Sequence, residues 1–181
     1  MGINFSFEAM IAVASEEIIN AHHQGDWIFW AKNCIENEEV LDQVMNYMLE
    51  GNTDTAKHSA EIIRHVYDLC RKRIDPYLEQ MIDCVAKPCR DAVLRSILHC
   101  TQSMPIPEQH EGRLLDICLP LVTNKDYPIA VRVFAMTTAY NISKKYPELY
   151  NELCNIIRPI LPMESTGFQN RGNKILNKTW K

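Results

Sequence analysis

Glycine is scarce in this chain. Its 181 residues include only six, well under the roughly 7% of an average protein. A β-sandwich or barrel needs more turn glycine, and no segment sustains the polar–apolar alternation of a strand. Positive charge is also short. Lys and Arg number 19 against 23 Asp and Glu, a net charge of −4, so the chain lacks the bulk positive field of a typical nucleic-acid binder. No apolar run approaches the ~18 residues of a membrane span. The N-terminal stretch has no basic region and meets acid at Glu8, unlike a secretory signal. Paired cysteines are missing too. Cys34, Cys70, Cys84, Cys89, Cys100, Cys118 and Cys154 are odd in number and contain no C-x-x-C unit, which argues against a disulfide framework and a zinc site. Most have apolar neighbours, so reduced, buried side chains in a cytoplasmic protein are expected. At 46% apolar and 23% charged residues the composition is globular rather than disordered. A chain of this length can bury a core without staples.

What the sequence does have is helical periodicity. Leu41, Val44, Met45, Met48 and Leu49 recur at steps of three and four. Ala56, Ala60, Ile63, Val66, Tyr67 and Cys70 form another stripe, with His58, Glu61, Arg64, Asp68 and Arg71 on the opposite face. Breaks at Gly25, Gly51, Pro76, Pro88, Pro105, Pro107, Pro128, Pro147 and Pro162 mark helix starts and stops. Eight to ten helices are expected. Their apolar positions repeat. Leu41/Val44/Met48 aligns with Leu78/Met81/Val85, then Leu115/Cys118/Val122, then Leu153/Ile156/Ile160, at offsets of about 37 residues. The segments between them share the period: Ala56–Ala60, Val93–Ile97, Val131–Ala135 and Phe168–Gly172. Two independent helix sets in one register predict a repeating helical hairpin.

The third copy, Asp126-Tyr-Pro-Ile-Ala-Val131-Arg132-Val-Phe-Ala135, resembles a HEAT or armadillo-type repeat, as found in short bacterial HEAT-like proteins. Such repeats place an Asp in the internal turn six residues before an Arg, and Asp126 and Arg132 match. The other copies depart from this: Lys57, Leu94 and Gln169 replace the Arg, and Pro88 stands where an Asp would be. The resemblance implies an all-α, right-handed α-α superhelix. The expected organisation is a single domain, with residues 1–37 as an N-terminal helical cap and 38–181 as about four hairpin repeats. Trp27 and Trp30 would staple the cap to the first repeat, and Trp180 would close the far end. Asp126 is expected to cap the helix starting near Pro128 and to lie beside Arg132.

The residues that could carry chemistry are few. His58, Glu61 and His65 share a helix face and are legitimate metal ligands, but the spacing is not that of a metalloprotease helix. His22-His23 follows the first helix and could bind a metal only loosely. Gly167 to Lys174 is a near miss to a phosphate loop: the Lys is one place late and no strand precedes it. No catalytic, cofactor-binding or metal-binding residue is assigned, and no cofactor is expected. The resemblance implies a non-enzymatic scaffold whose concave face, built from second helices, binds a protein or peptide. Groove candidates are Arg64, His65, Asp68, Arg95, His99, Gln102, Arg132, Tyr140 and Lys144. The alternative is a DNA-binding protein like the alkylation-repair glycosylases, which also use HEAT-like repeats. The shortage of clustered cations makes nucleic acid the lesser expectation.

Overall fold

In a computed structural model of the chain, the described residues are 18, 20, 23–51 and 53–179. His22, Trp180 and most of the expected cap, including the N-terminal stretch, lie outside them. Helix makes up 80% of the structure, with no strand among the described residues. Nine α-helices follow one another there: α1 (Gln24–Glu36), α2 (Glu38–Leu49), α3 (Asp54–Leu69), α4 (Leu78–Val85), α5 (Asp91–Thr101), α6 (Glu108–Thr123), α7 (Ile129–Ser143), α8 (Pro147–Ile160) and α9 (Thr166–Leu176). Short 3-10 turns at Arg71–Arg73 and Asp75–Tyr77 lead into α4, and another at Leu161–Met163 leads into α9.

Local chemistry sets these boundaries. Asn37 caps α2 by accepting the Glu39 and Val40 amides, Thr53 caps α3 through the Ala56 amide, and Ser165 caps α9 through the Phe168 amide. Pro107 and Pro128 stand immediately before α6 and α7, and Pro147 opens α8, where a missing N–H costs nothing. Gly51 ends α2 with φ +77°. Its amide donates to the Met48 carbonyl at 3.1 Å, and its own carbonyl accepts the Arg90 amide at 2.9 Å, tying the end of α2 to the start of α5. A Cβ there would adopt a left-handed backbone and stand 3.3 Å from Cys89 Cβ. Gly51→Ala should therefore lower stability by about 1–2 kcal/mol. An unchanged midpoint in chemical denaturation would contradict this.

The helices form two layers of an α-α solenoid. α2, α4, α6 and α8 pack in succession in one layer; α1, α3, α5, α7 and α9 pack in succession in the other. Leu41, Leu78, Leu115 and Leu153 are all buried in the first layer, at the positions the period assigns them. The second layer fills the same core with Ala60, Ile97 and Ala135, and with Gly172 at the fourth position. A Cβ on Gly172 would come within 2.5 Å of Leu161 Cδ1, so this glycine lets α9 approach the end of α8. Gly167 and Gly172 lie inside α9, and this segment is a capped helix rather than a phosphate-binding loop.

Candidate functional site

The helices α3, α5 and α9 bury their apolar sides and leave polar rows on the other, while α7 is buried on most of its sides and contributes Thr137 and Asn141. Because neighbouring helices run alongside one another, these rows meet. On α3, Arg64 Nε donates to Glu61 Oε2 at 3.2 Å and Arg64 NH1 to Asp68 Oδ2 at 3.3 Å. Arg95 on α5 reaches back to the other oxygen of Glu61. His99 Nε2 meets Asp68 Oδ1 at 2.7 Å, and the Gln102 side-chain amide turns back onto the His99 carbonyl at 3.2 Å. From α7, Asn141 Nδ2 donates to the Gln102 carbonyl at 2.7 Å. From α9, Arg171 donates to Thr137 Oγ1 and to Gln102 Oε1. One connected polar ladder thus spans α3, α5, α7 and α9.

An aromatic row runs through it. Trp27 of α1 stacks on His65 with centroids 6.2 Å apart, joining α1 to α3, and His99 meets Tyr67 at 6.2 Å and Phe134 at 5.4 Å, both edge-on. His65 is buried. Burial, with the Arg64 charge beside it, pushes its pKa below the ordinary histidine value. The ring is neutral at pH 7, and its Nε2 accepts the Arg64 guanidinium at 3.0 Å.

Seven of the nine predicted groove residues lie on or beside this ladder: Arg64, His65, Asp68, Arg95, His99, Gln102 and Lys144, whose Nζ donates to Asn141 Oδ1 at 3.0 Å. Two are buried rather than presented on it. Tyr140 turns toward α8, its ring edge-on to Tyr150 with Lys144 Nζ 5.7 Å from its centroid. Arg132 is buried between the layers. Its guanidinium forks onto Glu164 at 2.9 and 2.7 Å, its Nε donates to the Val122 carbonyl at 3.1 Å, and it lies 4.8 Å over the Phe168 ring. This also corrects the expected Asp126–Arg132 pair. Asp126 is exposed in a turn whose Asn124 side chain accepts the Asp126 amide at 2.9 Å, and no side chain caps α7. A buried guanidinium needs a bidentate acid. Glu164, in the corresponding turn one period on, supplies it, so the acid–arginine contact runs between hairpins.

Sequence reasoning missed Phe134, Thr137, Asn141 and Arg171 as ladder members, and placed Glu61 on the polar face of its helix without naming it among the groove candidates. A signal was available. Contacts between neighbouring second helices fall at spacings of 31 to 39 residues, as in Asp68–His99, Glu61–Arg95, Thr137–Arg171 and Gln102–Asn141, on either side of the 37-residue repeat. Glu61 is occupied by two arginines, and no group of three His, Cys, Asp or Glu among the described residues is placed to hold a metal. All seven cysteines are free, five of them buried.

At the α9 end the ladder opens into a cleft of about 790 Å³. The loop after α5 (Gln102 to Ile106), the C-terminal half of α7 and Arg171 line it, with Glu111 of α6 at its back. Glu111 is buried and accepts from Lys145 and from the Tyr146 hydroxyl. Its hydrogen bond with Lys145 holds its carboxyl below the ordinary range.

The family model of the HEAT repeat domain matches residues 14–179. No curated protein and no solved structure matches the chain. The matched span takes in every described helix of the two layers, α1 included, and the chain belongs to the HEAT repeat domain family.

Proposed function

We propose that this chain is a non-enzymatic scaffold that holds a protein or peptide partner along the polar face of its second helices. The observation that carries this reading is the ladder from Glu61 to Arg171, together with the cleft that continues it. Side chains already fixed by neighbours lose little further entropy when a partner arrives, which favours recognition by a rigid face. HEAT repeats commonly mediate protein interactions, and the family is typically non-catalytic. We also keep the division into a cap (1–37) and about four repeats (38–181), in which α1 plays the part of a terminal second helix. The free cysteines favour the cytoplasm as its compartment. No helix among the described residues is long and apolar enough to cross a membrane.

The glycosylase-like alternative draws no support from the face. Of its cations, Arg64 and Arg95 are matched by Glu61 and Asp68, and Arg171 and Lys144 add only two more, short of the roughly six to ten phosphate contacts of a tight duplex binder. A photo-crosslinking amino acid distinguishes the two faces in cells. Placed at Asn141 it should trap a defined protein partner; placed at the exposed first-layer positions Asp116 or Glu152 it should trap none. Crosslinks from the first layer alone, or from neither face, would overturn the proposal.

A further inference from the structure

The ladder is electrically divided. Across α3 and α5, Glu61 and Asp68 face Arg64 and Arg95, two charges of each sign, and His65 is neutral. That half gives a partner little net field. The cleft at the other end is different. Among the described residues, its lining holds Arg171, Lys144 and Lys145 against one acid, Glu111. The C-termini of α5 and α7 also point at it, and each contributes about half a negative charge. Subtracting both still leaves the cleft positive by about one charge, on a chain whose net charge is −4. The surrounding medium strengthens that charge. Burial is what pushes the Arg171 pKa below its ordinary value, the mark of a guanidinium drawn out of water, where a carboxylate interacts more strongly with it than at an open surface. Thr137 on α7 and Gln102 in the loop after α5 hold the guanidinium from two sides, so it is set before a ligand arrives. Beside it, Met104, Ile106 and Ile142 form an apolar wall.

We propose that this cleft receives an acidic segment of the partner protein: one or more Asp or Glu carboxylates seated against Arg171 and Lys144, with apolar neighbours on the Met104–Ile142 wall. This rests on the second-helix face being the partner-binding face, and specifies which chemistry it selects and where. A peptide fits better than a nucleic acid. A polyanion running on from the cleft would meet Asp68 and Glu61 within the same ladder, while a short acidic segment needs only the local surplus.

The test uses the full chain and three short fluorescein-labelled peptides of equal apolar content, carrying Glu, Gln or Lys at the same positions. In fluorescence polarisation at low salt, the Glu peptide should bind about tenfold more tightly than the Gln peptide, with the Lys peptide weakest. Its affinity should fall as salt is raised. Lys144→Glu, at an exposed position that fold stability tolerates, and Arg171→Gln should each remove the Glu preference; Lys87→Gln, in the loop before α5, should leave it. A circular dichroism melt of each variant separates lost binding from lost folding. Equal binding of Glu and Gln peptides that is lost in Asn141→Ala would overturn the acidic selection while leaving the peptide-binding face standing. No binding by any peptide, a Glu preference that survives both variants, or tighter binding of a labelled oligonucleotide would each overturn the assignment of this cleft.

Discussion

Removing the carboxylate of Glu164 should cost about 3–5 kcal/mol of folding stability, the largest effect expected of any polar substitution in this chain. The side chains of the Arg132–Glu164 pair are only 4% and 5% exposed. Glu164→Gln would leave a guanidinium buried beneath Phe168 and the Val122 carbonyl with no counter-charge. The worth of the pair itself is a separate matter, because taking both charges out of water offsets most of their attraction. Arg132→Met combined with Glu164→Leu should therefore be much less destabilised than either single change. Urea denaturation of the two single variants and the double variant checks this. If the double variant loses as much as the two singles together, the pair is a strong net attraction and the desolvation argument fails.

The same pair sets an acid limit. Its hydrogen bonds with Arg132 hold the Glu164 carboxyl below the ordinary carboxylate range. A carboxyl with a depressed folded-state pKa contributes stability that is fully present above its unfolded value, near ~4.3, and lost as pH falls through the folded value. The gap between the native chain and Glu164→Gln should accordingly be widest at neutral pH and narrow below about pH 4.

How far the sequence could be read follows from which interactions are local. The hairpin period was legible because each copy repeats the same burial demand. Leu41, Leu78, Leu115 and Leu153 must all be apolar, and a solenoid presents that demand once per repeat. Arg64, Asp68, Arg95 and His99 were legible as face residues for the same reason. Glu164 was not, because its partner sits 32 residues away in the preceding hairpin, and a within-repeat rule directs attention to Asp126 instead. Tyr140 was misplaced by one step on α7. Adjacent helical residues point about 100° apart, so Asn141 faces the ladder while Tyr140 faces Tyr150. Arg171 was hidden because the segment around it reads first as a broken phosphate loop, and its role emerges only when α9 is laid beside α7.

Among apolar substitutions, the register leucines carry the largest expected effects, and the solenoid decides how each loss spreads. Leu→Ala at a buried site costs about 2–5 kcal/mol through lost transfer energy and the cavity left behind. Leu41 and Leu153 are 1% and 0% exposed, Leu78 and Leu115 7% and 6%, so all four should fall within that range, with the first two toward its upper end. Stability in a repeat array is close to a sum of unit and neighbour terms, so position should matter beyond the size of the cost. Leu153→Ala weakens α8, which has α6 and α7 on one side and only the 3-10 turn and α9 after it. Hydrogen exchange should show α8 and α9 opening first, carrying Glu164 with them, while α3 and α5 keep native protection. Leu115→Ala acts between neighbours on both sides, since α6 packs against α4, α7 and α8. Its loss should lower protection along the whole chain. Uniform loss of protection in Leu153→Ala would mean that the hairpins unfold as a single block and that nearest-neighbour coupling does not describe this short array. A cost below about 1 kcal/mol at either site would mean that the cavity collapses or that the leucine is not part of the shared core.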